Sequence, residues 1–285
     1  MIIGAGLMGT SLALAIKRAC PSTTVDAMEV SQSHRKQAAE HGCFSHIYET
    51  FSDIQDHYDV TFLAVPPGVA SRMLPRLANV GHYIVDLCSI KSPICEAAEL
   101  AQMQDKFVPS HPMAGKASGG PKDAEAALFV DRPWIFLESW STPQSLIQFV
   151  VSLGARPTFV ADAATHDEWM ASVSHGIHLA SLSAMLASHE QGGAEEDSRP
   201  SIAGPAFWDI TRLAASPSEF WVDTLMTNKP NVQRYLLALK RQILAFEQVL
   251  EDGDVQELER LLRAAKDARS TWESRRHVNG DRDRH

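Results

Sequence analysis

The stretch Ile2-Ile3-Gly4-Ala5-Gly6-Leu7-Met8-Gly9 constrains this chain more than any other. A short apolar strand runs into G-x-G-x-x-G, and helical spacing follows through Leu12 and Ile16. Each glycine has its own reason. Gly4 permits a tight turn, Gly6 leaves room for a ligand to approach the backbone, and Gly9 lets the new helix pack against the strand. The free amides where that helix starts, at Leu7 and Met8, suit an anion. Ordinary glycine-rich turns share the pattern, so context decides. Thr24–Glu29 reads as the second strand, and Glu29 ends it twenty positions after Gly9. A carboxylate there accepts hydrogen bonds from ribose hydroxyls and repels a 2′-phosphate. The chain is therefore read as binding a dinucleotide, NAD in preference to NADP.

The rest of the first half fits that start. Strand and helix signals alternate from residue 1 to about 161: helices over Leu7–Ala19, Ser33–His41 and Val69–Ala78, and strands over Asp59–Val65 and Tyr83–Cys88. The apolar run Asp59–Val65 stops at Pro66-Pro67-Gly68, which places Val65 and Pro66 at the carboxyl edge of a buried parallel strand. Ligands bind at that edge in such sheets. Two further strands, Trp134–Leu137 and Pro157–Val160, complete the series. The expectation is an α/β fold with a Rossmann-like, doubly wound parallel sheet as a dinucleotide-binding domain over 1–161.

After Asp162 the strand signals stop. A helical substrate and dimerisation domain is expected over 162–273, opening with one long helix from Thr165 to His189. Gln191–Ser201 reads as a polar, mobile loop, and 274–285 as a disordered, charged tail. Positions 236, 239, 243, 246 and 250 are apolar at helical spacing and mark a stripe to be buried. Such a stripe is covered by the domain's own core or by a second copy. A homodimer is the preferred reading.

Composition excludes several function classes. The net charge of −9 argues against nucleic acid as the main partner, so an anionic small molecule needs locally placed cations. No apolar run reaches the roughly 18 residues that span a membrane. The apolar start leads straight into the glycine turn rather than into a signal-peptide pattern. Cys20, Cys43, Cys88 and Cys95 lack metal-like spacing and read as reduced, largely buried thiols, so the cytoplasm is the expected location and no metal is expected. Only three residues precede Gly4, fewer than the usual strand, which leaves an upstream start or a clipped first strand as the two readings.

Three segments carry candidate chemistry. Ser110-His111-Pro112-Met113-Ala114-Gly115 places an imidazole at a strand end beside the cofactor loop, suited to take a proton near neutral pH. Asp86-Leu87-Cys88-Ser89-Ile90-Lys91 ends another strand. Ser89 can orient that imidazole or bind a substrate hydroxyl, and Lys91 is equally readable as a surface lysine at a helix start. Phe207-Trp208-Asp209-Ile210-Thr211-Arg212 offers a guanidinium that can grip a carboxylate through two parallel bonds.

Together with His175 and His178, three apart in SVSHGIH, and with SEFWVDTLMTNKPNV, these segments make the chain similar to the prephenate/arogenate dehydrogenase family over nearly its whole length. The resemblance implies NAD-dependent oxidative decarboxylation in tyrosine biosynthesis. It implies that His111 accepts the proton of the oxidised hydroxyl, that Ser89 assists there, and that Arg212 holds the ring carboxylate. His178 is expected near the substrate's side chain. For His175 a substrate role and a core role stand equal, and Asp209 either meets an ammonium or braces Arg212. Lys116-Ala117 follow HPMAG where many members carry Thr and a polar or acidic residue. Prephenate is the preferred substrate, with arogenate or an amino-substituted prephenate as enzymatic alternatives. A catalytically silent dinucleotide-binding regulator is the alternative outside enzymology.

Overall fold

The computed structural model describes residues 1–54, 57–116, 119–190 and 199–282. Met1–Val232 forms one compact unit and Gln233–His285 a second. The first unit opens with β1 (Ile2–Ile3), α1 (Leu7–Ala19), β2 (Asp26–Met28), α2 (Gln32–Glu40), β3 (His46–Tyr48) and β4 (Tyr58–Leu63). It continues with α3 (Pro67–Met73), β5 (Gly81–Asp86), α4 (Ser92–Leu100) and β6 (Phe107–Val108). These six strands form one parallel sheet in the order β3-β2-β1-β4-β5-β6. Successive strand residues point to opposite faces. Ile3, Leu63 and Ile84 therefore join one apolar cluster with Leu74, Leu77 and Ile94, while Ile2, Phe62 and Val85 join the other with Leu12 and Ile16. The strand order reverses between β1 and β4, which opens a crevice beyond their carboxyl ends.

The sheet does not take in every expected strand. β7 (Ser110–Pro112), β8 (Pro133–Leu137) and β9 (Arg156–Val160) form a separate three-stranded sheet, with α5 (Gln144–Ser152) between the last two. β7 runs antiparallel to β8, and β8 parallel to β9. Pro109 accounts for the division: it offers no amide to prolong the β6 ladder, and the chain steps across to a new partner. His111 therefore sits within a strand, held against Ile135.

The expected long helix after Asp162 is interrupted. α6 (Ala163–Met170) is capped by the Asp162 carboxylate, which accepts from Thr165 N at 2.7 Å. A π-helical turn at Ala171–His175 follows, and α7 (Gly176–Glu190) resumes. Within the expected loop at 191–201, residues 191–198 lie outside the described ones and α8 (Arg199–Ile202) begins a helical turn. α9 (Pro205–Thr211) passes into a 3-10 turn at Arg212–Ala215, and α10 (Ser218–Thr227) and α11 (Lys229–Asp252) follow.

In the second unit α12 spans Val255–Arg282, so helix carries well past residue 273, and only 283–285 of the expected tail lie outside the described residues. Pairs three or four apart support it: Arg260 with Glu257, Arg263 with Glu259 and Arg269 with Glu273. Among the described residues the apolar stripe of α11 is only partly covered: Leu236, Leu239 and Phe246 are half-buried, whereas Ile243 and Leu250 are exposed. Among the described residues no helix is long and apolar enough to cross a membrane.

One buried ion pair locks the end of β5. Lys91 is fully buried, not a surface lysine. Its Nζ donates to Asp86 Oδ2 and, at 2.6 Å, to the Ser110 carbonyl. Removing one partner of such a pair strands the other's charge and costs about 3–5 kcal/mol. Lys91→Ala is expected to lower the melting temperature by roughly 6–20 °C. A shift below about 2 °C in thermal unfolding contradicts the role given to this pair.

Candidate active site

A cavity of about 520 Å³ opens at the carboxyl edge of the large sheet. Its lining brings together Gly6, Leu7, Met8, Val65 and Pro66 with Ser89 and His111, and with His175, Arg212, Trp221 and Thr224. The larger concavity, about 740 Å³, lies at the strands' amino edge around Thr24 and Tyr58 and holds none of the predicted site residues.

The glycine turn has the shape that a bound dinucleotide needs. Gly4 adopts φ +96°, and a Cβ there would lie 2.5 Å from the Ala64 carbonyl oxygen. At Gly9 a Cβ would lie 1.9 Å from the Gly4 carbonyl oxygen. Fold alone requires glycine at both positions. Gly6 differs, because a Cβ there meets no protein atom within 4 Å. Its openness is space for something outside the chain, directly before the free amides of α1.

Glu29 is buried at the end of β2. Its carboxylate accepts from Ala5 N and Ser31 N, both at 2.9 Å, which aims it across the glycine turn. Arg35 cannot serve a 2′-phosphate as it stands. Its guanidinium donates to the carbonyls of Glu29 and Val30 and pairs with Glu49 at 3.1 Å.

The imidazole of His111 is oriented by a residue that sequence reasoning missed. His111 Nδ1 lies 3.0 Å from His166 Nε2, and His166 Nδ1 lies 2.8 Å from Asp167 Oδ1. Asp167 also accepts from Lys91 N at 2.7 Å and Ser92 N at 2.8 Å, at the start of α4. Burial pushes the His111 pKa well below the ordinary 6.5, and the neighbouring His166, Lys91 and His175 add to the shift. Burial also lowers His166, against the pull of Asp167. For Asp167 burial works upward, but hydrogen bonds from His166, Ser92 and Lys91 prevail and hold the carboxyl below its usual range. Histidines and aspartates inside a helical pattern carry no local mark of such a chain, which is why the sequence did not point to it.

Ser89 reaches the cavity, but its buried hydroxyl has no hydrogen-bond partner among the described residues, and it is His166 that meets the imidazole of His111. Of the two helix histidines, His175 lines the cavity. Its Nδ1 lies 3.0 Å from Asn228 Nδ2, its Nε2 is buried without a protein partner, and burial lowers its pKa to about 4. His178 was expected there, but it is stacked on the Trp221 ring at 3.6 Å and lies outside the lining. The stack is the physical reason: Trp221, which lines the cavity, covers the His178 ring. Arg212 is an exposed cation on the cavity wall. Asp209, on α9, is exposed and lies outside the lining. Among the described residues no three His, Cys, Asp or Glu side chains are grouped to hold a metal ion.

Comparison with known proteins bears on this arrangement. Residues 12–156 match the family described as prephenate dehydrogenase, nucleotide-binding domain, and 162–264 match prephenate dehydrogenase, dimerization domain. The chain is 31% identical to cyclohexadienyl dehydrogenase of Zymomonas mobilis, over 89% of each protein. It is 30% identical to prephenate dehydrogenase of Lactococcus lactis, over 89% of this chain and 75% of that protein. In fold it resembles Aquifex aeolicus prephenate dehydrogenase solved with hydroxyphenyl propionate and NAD+. That match has 21% identity and a TM-score of 0.83, over 95% of this chain and 96% of the other.

Two outcomes test the cofactor cradle. Gly9→Ala is expected to prevent folding, whereas Gly6→Ala should fold normally and bind NAD about tenfold more weakly or worse, as a clash of about 1.4 kcal/mol gives. Equal NAD affinity for wild type and Gly6→Ala, by titration, contradicts the cradle. NAD should be preferred over NADP by at least about tenfold in kcat/KM, and Glu29→Ser should narrow the gap. Equal efficiency with the two cofactors contradicts the role of Glu29.

Proposed function

The chain belongs to the prephenate dehydrogenase family, and on that premise we propose that it oxidises and decarboxylates prephenate to 4-hydroxyphenylpyruvate with NAD, in tyrosine biosynthesis. The observation that carries this reading is one cavity in which the glycine turn, His111, Ser89 and Arg212 meet. A silent regulator has no need to keep all of these together.

The open Gly6 and the buried Glu29 carboxylate fit a dinucleotide with unphosphorylated ribose. When bound, its nicotinamide supplies the hydride acceptor. The chain's own residues do the rest. His111, kept neutral by burial, accepts the proton of the ring hydroxyl as hydride leaves the same carbon. The Ser89 hydroxyl is free to donate to or accept from that oxygen. Arg212 holds the ring carboxylate in place until it leaves as carbon dioxide. Aromatisation then makes the step irreversible, so positioning is the main task left to the protein.

Choice of side chain follows from the lining. Prephenate carries a second carboxylate on a keto-acid side chain, and arogenate carries an ammonium as well. Among the described lining residues there are two cations, Lys116 and Arg212, and no Asp or Glu. Asp209, the one candidate for an ammonium, is turned to solvent within this chain. His175 offers an unpartnered ring nitrogen instead. We take the enzyme to be a cytoplasmic homodimer that uses neither nucleic acid nor a membrane. The matched dimerization domain and the uncovered apolar residues of α11 support a second copy. We also take residue 161 as the boundary between the cofactor and substrate regions, which the change from strands to helices and the two matched family segments support.

The test is the formation of reduced nicotinamide with prephenate and with arogenate. Higher kcat/KM on prephenate is expected, and turnover of arogenate alone overturns the substrate assignment. Arg212→Ala should raise KM for prephenate and spare NAD binding, since hydrogen bonds between charged groups contribute about 1.5–3 kcal/mol. His111→Ala should instead lower kcat by roughly 10²–10⁴. An Arg212→Ala enzyme with unchanged KM removes the carboxylate assignment.

A further inference from the structure

Resting on the dehydrogenase reading above, we propose that His166 is a positioning residue: it fixes His111 as the Nδ1–H tautomer, so that Nε2 is the nitrogen left to take the hydroxyl proton. The inference runs inward from the far end of the chain of hydrogen bonds. Asp167 receives two backbone amides, Lys91 N on Oδ1 and Ser92 N on Oδ2. Both neighbours are obligate donors, which suits a carboxylate that only accepts. His166 Nδ1, at 2.8 Å from the same Oδ1, must then carry a hydrogen. In the neutral ring His166 Nε2 is an acceptor, and its partner at 3.0 Å, His111 Nδ1, must donate.

Asp167 also sets the second cavity histidine, in the opposite sense. Asn228 Nδ2 donates to the Asp167 backbone carbonyl at 2.8 Å, and Asn228 Oδ1 accepts from Asn231 Nδ2 at 2.9 Å. The bond to the carbonyl, which can only accept, fixes which end of the amide is nitrogen, and the Asn231 contact is consistent with it. The second hydrogen of Nδ2 goes to His175 Nδ1 at 3.0 Å, which is thereby an acceptor. The hydrogen of His175 is on Nε2, the buried atom with no protein partner at the cavity. One node therefore presents an acceptor on His111 and a donor on His175. An acceptor serves the hydroxyl that loses its proton, and a donor serves a keto group or carboxylate of the substrate.

The proton balance is closed within the chain. His111 Nε2 gains the hydroxyl proton, and the O–H bonding pair becomes part of the new carbonyl. The resulting imidazolium keeps its Nδ1–H directed at His166, whose own Nδ1–H faces the Asp167 carboxylate. Positive charge formed on a buried ring is thus opposed by a negative group two hydrogen bonds away.

The experiment combines ring ¹⁵N NMR on histidine-labelled protein with kinetics of His166→Leu and His166→Gln. In the wild type the His111 signal, identified by its loss in His111→Ala, should report the neutral Nδ1–H form. In His166→Leu that preference should disappear and kcat should fall about tenfold or more, with KM for prephenate and affinity for NAD within about twofold. His166→Gln, whose amide oxygen can accept from Nδ1–H, should recover part of kcat. An Nε2–H form of His111 in the wild type, or a folded His166→Leu enzyme with unaltered kcat, overturns the proposal. A wild type that shows the Nδ1–H form yet fails to oxidise prephenate overturns the dehydrogenase reading and leaves the tautomer assignment standing.

Discussion

The site depends on the buried pair of Asp86 and Lys91. Burying two charges is costly, and the cost is tolerated only where every remaining donor and acceptor is met. Here backbone groups of two segments, at Cys88 and Ser110, supply partners to the pair. Asp86 accepts from Cys88 N and Ser110 N, and Lys91 Nζ donates to the Ser110 carbonyl. The pair thus joins the end of β5, the start of β7 and the approach to α4. Those are the segments that carry Ser89 and His111. A second carboxylate, Asp167, receives the first amides of α4 and turns the same anchor toward His166 and, through its backbone carbonyl, toward Asn228. The protonation states in the cavity are consequences of this scaffold, set before any ligand arrives.

Much of this was legible in the sequence, for reasons that are local. Gly4 and Gly9 are dictated by backbone contact and Gly6 by its absence, and the G-x-G-x-x-G spacing encodes all three. Glu29 is marked by its place at the end of a strand. The alternation of Ile2 with Ile3 and of Phe62 with Leu63 into two cores is written in short apolar runs. His111 and Arg212 were found through motif resemblance, and both line the cavity.

What was not legible depends on distant partners. The second sheet follows from Pro109 and from an antiparallel pairing between His111 and Ile135, which no local pattern encodes. Lys91 looks like a surface residue until Asp86 and Ser110 close around it. His175 and His178 are equivalent at helical spacing, and distant partners separate them: Asn228 beside the one and Trp221 stacked on the other. His166 and Asp167 are ordinary polar residues in a helix until His111, 55 positions earlier, meets them. The apolar spacing of α11 reads as a buried stripe, yet Ile243 and Leu250 are exposed in this chain.

On the proposed reading, burial and its neighbours hold His111 neutral as the acceptor of the substrate's proton. The groups that face it are His166 and, behind it, Asp167 from α6, Lys91 with Asp86 from the β5 end, and His175 from the π-helical turn. The pKa of His111 is driven well below 6.5, and a base works only when unprotonated. Activity should therefore be full at neutral pH and persist below pH 6.5, falling only as the pH approaches the depressed pKa. The direct measurement is the pH dependence of kcat/KM for prephenate at saturating NAD. An acid limb clearly below 6.5 is the predicted result, and a limb at or above 6.5 contradicts the account.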